Sequence, residues 1–213
     1  MIYCIGNSHV NFFTDTHPGA WGEWKSGNND VFKSYGIGPV IAYNFTTNHL
    51  PKVMQAISSI DGFNFEKDYI MLVVGEVDCR WHLPKQANEQ KREVKDVVEE
   101  CVDRFFISMS MLLEQGYNVV GWGSHPSTVE GHCDNLSQPI FGDCKTRNMI
   151  SVHFERHYRQ KCLENNIPFI SILNDIIDDN GITRMEFFLD YCHLKTSPMI
   201  NHVLEQVKQK DLV

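Results

Sequence analysis

Residues 69–74 read Tyr-Ile-Met-Leu-Val-Val, an apolar run without a charged or amide side chain. A strand with one wet face alternates apolar and polar residues. A continuous run needs cover on both faces, as in a sheet sandwiched between helices. The run is too short to span a bilayer. Similar runs occur at residues 1–6, 118–123 and 167–172, and the segments between them carry helical spacing. Leu50, Val53, Met54, Ile57 and Ile60 mark one helix, with Asn48 the expected cap and Pro51 in the first turn. Between residues 85 and 116, Val94, Val97, Val98, Cys101, Val102, Phe105, Met109, Leu112 and Leu113 form a single stripe that Gly116 ends. Further helices are expected at about 146–164 and after Ser197-Pro198, where Met199, Ile200, Val203, Leu204 and Val207 follow. Regular signal is weak through the glycine-rich residues 19–39 and resumes at 39–45; residues 124–144 read as a polar loop. This alternation predicts an α/β fold with a central parallel sheet of about five strands and helices on both faces. No repeat, low-complexity tract or linker divides the chain, so residues 1–213 are expected to form one domain.

Charge narrows the partners. Nineteen Lys and Arg stand against 27 Asp and Glu, a formal net charge of −8, and no basic patch of useful length occurs. Nucleic acid and polyanionic membrane surfaces are therefore not expected partners. The seven cysteines are odd in number and lack framework spacing, and the first residues carry no basic n-region. Reduced thiols in a cytoplasmic protein are the expectation.

Ligands of such sheets bind at the carboxyl ends of the strands, and three segments carry chemistry there. In Gly6-Asn7-Ser8-His9, after the first strand, a serine would present its hydroxyl at the binding edge and its own N–H to a developing oxyanion. A helix N-cap explains that serine equally well. The segment is not the G-x-S-x-G elbow, because Val10 stands where the second glycine belongs. In Asp190-Tyr191-Cys192-His193, before the last helix, the carboxylate can fix the imidazole tautomer and stabilise the imidazolium. Either motif alone is weak, but their joint placement at the two ends of an α/β chain is less readily accidental. The third segment is Gly75-Glu76-Val77-Asp78-Cys79-Arg80-Trp81-His82. If it stays extended, Glu76, Asp78 and Arg80 share one side at the same sheet edge, where they could orient a loop, pair with one another or bind substrate. An internal ion pair is expected for at least two of them, since a charge leaving water needs a partner.

In order and spacing these three segments resemble the SGNH (GDSL-like) hydrolases, over nearly the whole chain from Ser8 to His193. The resemblance implies a flavodoxin-like three-layer α/β/α domain. It implies Ser8 as nucleophile, with His193 and Asp190 completing a triad. It also implies an oxyanion-hole glycine, for which Gly38 is the candidate and Gly36 the fallback. No cofactor and no metal are implied. One departure stands out: the family's third block is Gly-x-Asn-Asp, whose Asn donates to the oxyanion, whereas this chain has Gly75-Glu76-Val77-Asp78. The variant G-E-[IV]-D-C-R resembles a branch found near polysaccharide-modifying enzymes. With no donor on Val77, Arg80 or His82 is expected to supply one, or two backbone N–H groups must suffice; losing one donor costs about 10²–10³ in turnover.

Other signals are weaker. His125, His132, Cys133 and Cys144 invite a zinc reading, but their spacing matches no structural zinc motif. His153 and His157 stand at i,i+4, where a solvated helix face explains them. Cys79 is expected to be a small buried residue. Trp21, Trp24, Trp81 and Trp122 fall in or next to the candidate site loops, where indoles suit sugar faces as readily as they seal a core. The expected activity is thus a serine ester hydrolase removing an acyl group, acetyl in the first instance, from a small-molecule or glycan ester. An O-acyltransferase and a catalytically idle glycan- or protein-binding module are the alternatives.

Overall fold

The computed structural model describes residues 1–19, 21–131 and 139–212. The strands are β1 (Ile2–Gly6), β2 (Trp24–Ser26), β3 (Phe32–Gly36), β4 (Tyr69–Val73), β5 (Asn118–Trp122) and β6 (Phe169–Ile170), in spatial order β2-β3-β1-β4-β5-β6. All neighbours run parallel except β2, a short antiparallel edge on β3. The helices are α1 (Phe45–Asn48), α2 (Leu50–Ser58), α3 (Leu83–Gln90), α4 (Val94–Glu114), α5 (Cys144–Glu164), α6 (Leu173–Ile176) and α7 (Ile200–Gln209). Among the described residues, no helix is long and apolar enough to cross a membrane.

The apolar strands are covered on both sides, as their sequence requires. Tyr3, Ile5, Ile70 and Leu72 pack with Val53 and Ile57 of α2, Val98, Val102 and Phe105 of α4, and Phe154 and Tyr158 of α5. Their neighbours Ile2, Cys4, Met71 and Val73 face the other way, onto Phe12, Phe13, Trp122, and Val203 and Val207 of α7. Two cores thus share one sheet, and the result is the three-layer α/β/α arrangement that the alternation predicts.

Helix ends follow local chemistry. At the end of α4 the Tyr117 N–H returns to Leu112 O (3.1 Å) and the Gly116 N–H to Leu113 O (2.9 Å), a Schellman closure at the expected stop. Asn48 does not cap α2. It ends the one-turn α1 instead, and His49 stands at the α2 N-terminus.

The strand count is six rather than about five, and the difference lies in residues 24–36. In β3, Phe32, Ser34 and Gly36 are buried while Lys33 and Tyr35 are half-buried, so the strand has no continuous apolar run to mark it. Residues 39–45, where the pattern regains regularity, form the crossing from β3 to α1. At the centre of the sheet β1 and β4 come unusually close. A Cβ on Gly6 would lie 2.0 Å from Val73 O, so only glycine fits there.

Candidate active site

β1 delivers Ser8 to the carboxyl edge of the sheet. Asn7 caps the short 3₁₀ turn Ser8–Phe13, its Oδ1 accepting from the His9 N–H at 3.1 Å. Ser8 is therefore the first residue of the turn. The N-cap is thus Asn7 rather than Ser8, which leaves the Ser8 hydroxyl available.

The opposite half of the site is a tight turn at residues 190–193. Asp190 Oδ1 accepts from the N–H groups of both Cys192 and His193, each at 2.8 Å. The turn is closed by Leu189 N–H to His193 O at 2.7 Å. It is pinned to the Ser8 turn by Thr196 Oγ1, which donates to Phe12 O at 2.8 Å, and by the burial of Phe188 and Leu194 in the α7-side core. Ser8 Oγ consequently stands 2.7 Å from His193 Nε2, and His193 Nδ1 stands 2.8 Å from Asp190 Oδ2. A carboxylate can only accept, so Nδ1 carries the proton and Nε2 accepts from the serine hydroxyl.

The charges fit that arrangement. Burial raises the Asp190 pKa, but the N–H groups of Cys192 and His193 and the imidazole itself outweigh it and hold the carboxyl below its ordinary value. His193 is held below the usual histidine value, first by burial and then by neighbouring His9, against the opposing pull of Asp190 and Glu76. A neutral imidazole on an ionised carboxylate is the state needed to take a proton.

Residues 75–82 depart from the extended reading. Gly75 has φ of +105°, and a side chain there would press on Phe154 at 3.1 Å. After Gly75 the chain turns helical, with a π-turn at Asp78–His82. Helical spacing pairs Glu76 with Arg80: Nε donates to Oε1 at 2.6 Å and Nη2 to Oε2 at 3.4 Å, while Nη1 donates to Pro139 O at 2.8 Å. The guanidinium expected to replace the missing Asn is thus committed on all three nitrogens. Glu76 also accepts from His9 Nε2 at 3.3 Å. Burial disfavours the Glu76 charge, but Arg80 and His9 overcome it and bring the carboxyl down to about 2.

Asp78, expected at the cleft, turns inward instead. It is fully buried, accepts from the N–H of Ala42 at 2.7 Å and of Tyr43 at 3.4 Å, and is raised to about 7 chiefly by burial. Its contacts tie the loop after β3 to the end of β4. That loop carries Gly38, with φ of +98°. Gly6 and Gly36 are paired in register, so Ser8 and Gly38 each lie two residues beyond the same rung. Among the described residues, no backbone carbonyl accepts from the N–H of Ser8 or of Gly38. Gly36 is still within the sheet.

Two cavities meet at Ser8. One, of about 380 Å³, is walled by Trp21, Pro39, Val77, Arg80, Trp81 and His82. The other, of about 220 Å³, is walled by Phe12, Asp15, Pro18, Leu189, His193 and Lys195. His82 is held below the usual histidine value by burial, with Lys85 and Arg80 adding to it. Of the four tryptophans, Trp21 and Trp81 face the larger cavity. Trp122 is buried against Phe13, and Trp24 packs on Tyr3 and Tyr35.

His9 and His125 are further residues at this site to which no motif in the sequence assigns a role. Their rings stack at 4.4 Å between centroids, and the His9 ring also stands 5.2 Å from that of His193. Burial, then His9, holds His125 well below the usual histidine value. Of the zinc candidates, His132 and Cys133 lie outside the described residues, and the Cys144 thiol bonds Ser127 O and Thr183 instead. His153 and His157 pair with Glu99 and Asp103 on the α5 surface. The Cys79 thiol is buried, and burial first, then Asp78, pushes its pKa well above the ordinary thiol value, as suits a packing residue.

No protein-family model matches this sequence, and no curated protein matches it at the sequence level. Solved structures do share the fold. The chain is similar to a GDSL-like lipase from Bacteroides thetaiotaomicron, with TM-score 0.63 and 12% identity over 99% of this chain and 88% of that one. It is similar to an acetyl xylan esterase, with TM-score 0.53 and 15% identity over the full length of both. A carbohydrate acetylesterase from Sinorhizobium meliloti superposes with TM-score 0.53 and 14% identity, over 100% of this chain and 99% of that one.

Proposed function

We propose that the protein is a serine ester hydrolase of the SGNH type that removes a small acyl group, acetyl, from a carbohydrate. The observation that carries this reading is the hydrogen-bond chain Ser8 Oγ–His193–Asp190, at 2.7 and 2.8 Å, opening onto the two cavities. Ser8 Oγ attacks the ester carbonyl carbon while His193 Nε2 takes the hydroxyl proton. The tetrahedral oxyanion faces the N–H groups of Ser8 and Gly38. Collapse breaks the bond to the alcohol, which leaves with the proton from His193. Water then attacks the acyl-enzyme, again losing its proton to Nε2, and releases the acid and Ser8. The fold shared with carbohydrate acetylesterases and the two indoles at the larger cavity support the sugar ester as substrate. A sugar hydroxyl in place of water would give O-acyl transfer by the same steps.

Val77 favours a second reading, an idle module that binds glycan or protein, because it leaves the oxyanion with backbone donors alone. Labelling with a fluorophosphonate decides between them. Stoichiometric labelling of wild type that Ser8→Ala abolishes is the expected result. A folded wild-type protein that takes no label is the idle module.

A further inference from the structure

The larger cavity at Ser8 has a neighbour. A further cavity of about 260 Å³ is walled by Ile41, Tyr43, Leu83, Gln86, Arg92 and Glu100, and His82 borders both. Two chain segments pass from one to the other. Pro39 walls the first cavity and Ile41 the second; Trp81 walls the first and Leu83 the second. Two residues of extended chain cover at most about 7 Å, so the second cavity stands one short step further from Ser8. Its polar groups are planar and fixed in place. Glu100 Oε1 accepts from Tyr43 Oη and Arg104 Nε, each at 3.2 Å, and Oε2 accepts from Arg92 Nη1 at 2.7 Å. These bonds, that of Arg92 first, hold the Glu100 carboxyl below its ordinary value. Both signs of charge are thus present and paired, which suits a neutral ligand better than an ion. Among the described residues, Arg92 spends only Nη1 on protein partners, Glu100 and Gln90, which leaves its other N–H groups for a ligand. His82, held below the usual histidine value, offers one donor and one acceptor at the border between the cavities. Ile41, Leu83 and the exposed Tyr43 add apolar surface. Fixed hydrogen-bonding groups beside aliphatic and aromatic surface match the hydroxyls and C–H faces of a sugar.

We propose that this cavity is a second sugar subsite, and that the alcohol half of the substrate is a neutral oligosaccharide whose chain crosses His82 rather than a single sugar. The catalytic benefit rests on the serine-hydrolase reading; the binding does not. With the acylated sugar in the cavity of Trp21 and Trp81, the next residue of the chain passes His82 and meets Arg92, Gln86 and Tyr43. Contacts so far from the ester carbonyl take no part in bond making. They hold the ester at Ser8, so kcat/KM rises with chain length until the subsite is filled.

The experiment compares acetylated xylo-oligosaccharides of one to four residues, each kcat/KM divided by the same enzyme's value for p-nitrophenyl acetate. In wild type this ratio should rise at least about tenfold from the single sugar to the longer chains, the worth of one hydrogen bond to a charged group. Arg92→Ala and Tyr43→Ala, checked for folding by circular dichroism, should flatten the rise. Binding is read separately by calorimetry with unacetylated xylotetraose and the chemically dead Ser8→Ala. Adding Arg92→Ala to that variant should weaken binding at least about tenfold. A wild-type ratio that does not grow with chain length, or one that grows equally in the two folded variants, overturns the subsite. Turnover of p-nitrophenyl acetate without xylotetraose binding overturns the subsite and leaves the hydrolase standing. Arg92-dependent binding in a protein that turns over no ester supports the subsite and overturns the hydrolase reading instead. Neither turnover nor binding overturns both.

Discussion

Glu76 Oε2 accepts from His9 Nε2 at 3.3 Å, and the ring so held stands 5.2 Å from that of His193. The arrangement sets a second carboxylate–imidazole pair beside the first, backed by Arg80. The buried negative charge of Glu76 thus works with Asp190 to favour the charged form of the His193 imidazole, against burial and His9.

Glu76→Gln should be the most disruptive single change among these groups. It leaves the buried Arg80 guanidinium without its counter-charge, which costs about 3–5 kcal/mol when a buried pair is broken. Urea denaturation measures the loss. The Glu76 carboxyl lies at about 2 against an ordinary 4.5, so the folded value is depressed. Its stabilisation is complete above pH 4.5 and disappears as pH falls towards 2, and the wild-type advantage over Glu76→Gln should shrink across that window.

Because His193 is held below the ordinary 6.5, its neutral form should persist on the acid side of that value. The acid limb of kcat/KM is expected below pH 6.5. Asp190→Asn should lower kcat by about 10⁴ while leaving the protein folded, since the wrong tautomer then faces Ser8. A p-nitrophenyl acetate pH profile tests both. An acid limb above pH 6.5 would contradict the electrostatics described for the ring.

Val77→Asn offers a gain rather than a loss. Val77 walls the larger cavity, half-buried, at the position where the SGNH pattern that the chain resembles has Asn. An amide there should raise kcat by up to about a hundredfold, the lower end of what one such donor contributes, with little change in KM. Unchanged kcat in a folded variant would show that the helical turn after Gly75 aims this side chain away from the oxyanion.

Asp78 carries the opposite pH signature to Glu76. Its carboxyl is raised to about 7 against 3.8, so the native state holds a proton that the unfolded chain has lost across that range. Stability should therefore fall as pH rises from about 4 to 7 and level off beyond it. Asp78→Asn keeps an acceptor for the Ala42 N–H and removes the titration. Melting temperatures at pH 5 and pH 8 should converge in the variant.

The meeting of Ser8, His193 and Asp190 was legible because each half of it is local. Ser8 follows a strand with no freedom to face water, and the Asp190–His193 pair closes within one turn. β4 was legible because both its faces are covered. What stayed hidden depends on contacts distant in sequence. The turn at residues 76–82 bends because the Asp78 carboxylate finds the amides of Ala42 and Tyr43, 36 and 35 positions away. His9 meets Glu76 across 67 positions. β3 escaped notice because Ser34 and Gly36 take inward places that apolar residues usually hold.

The close approach of β1 and β4 at Gly6 has a dynamic consequence. Asn7 N–H is bonded to Val73 O, and Ile37 N–H to Gly6 O, so Ser8 follows directly on the last rung of the central strands. Amides bonded between central strands open less readily than those of surface turns. The histidine comes instead on a turn that Thr196 Oγ1 ties to Phe12 O and that Phe188 and Leu194 anchor in the α7-side core. The two halves of the site therefore belong to regions of different local stability. Hydrogen exchange should find the serine half persistently closed while the histidine half opens and recloses, making the docking of residues 188–196 the event that assembles the site.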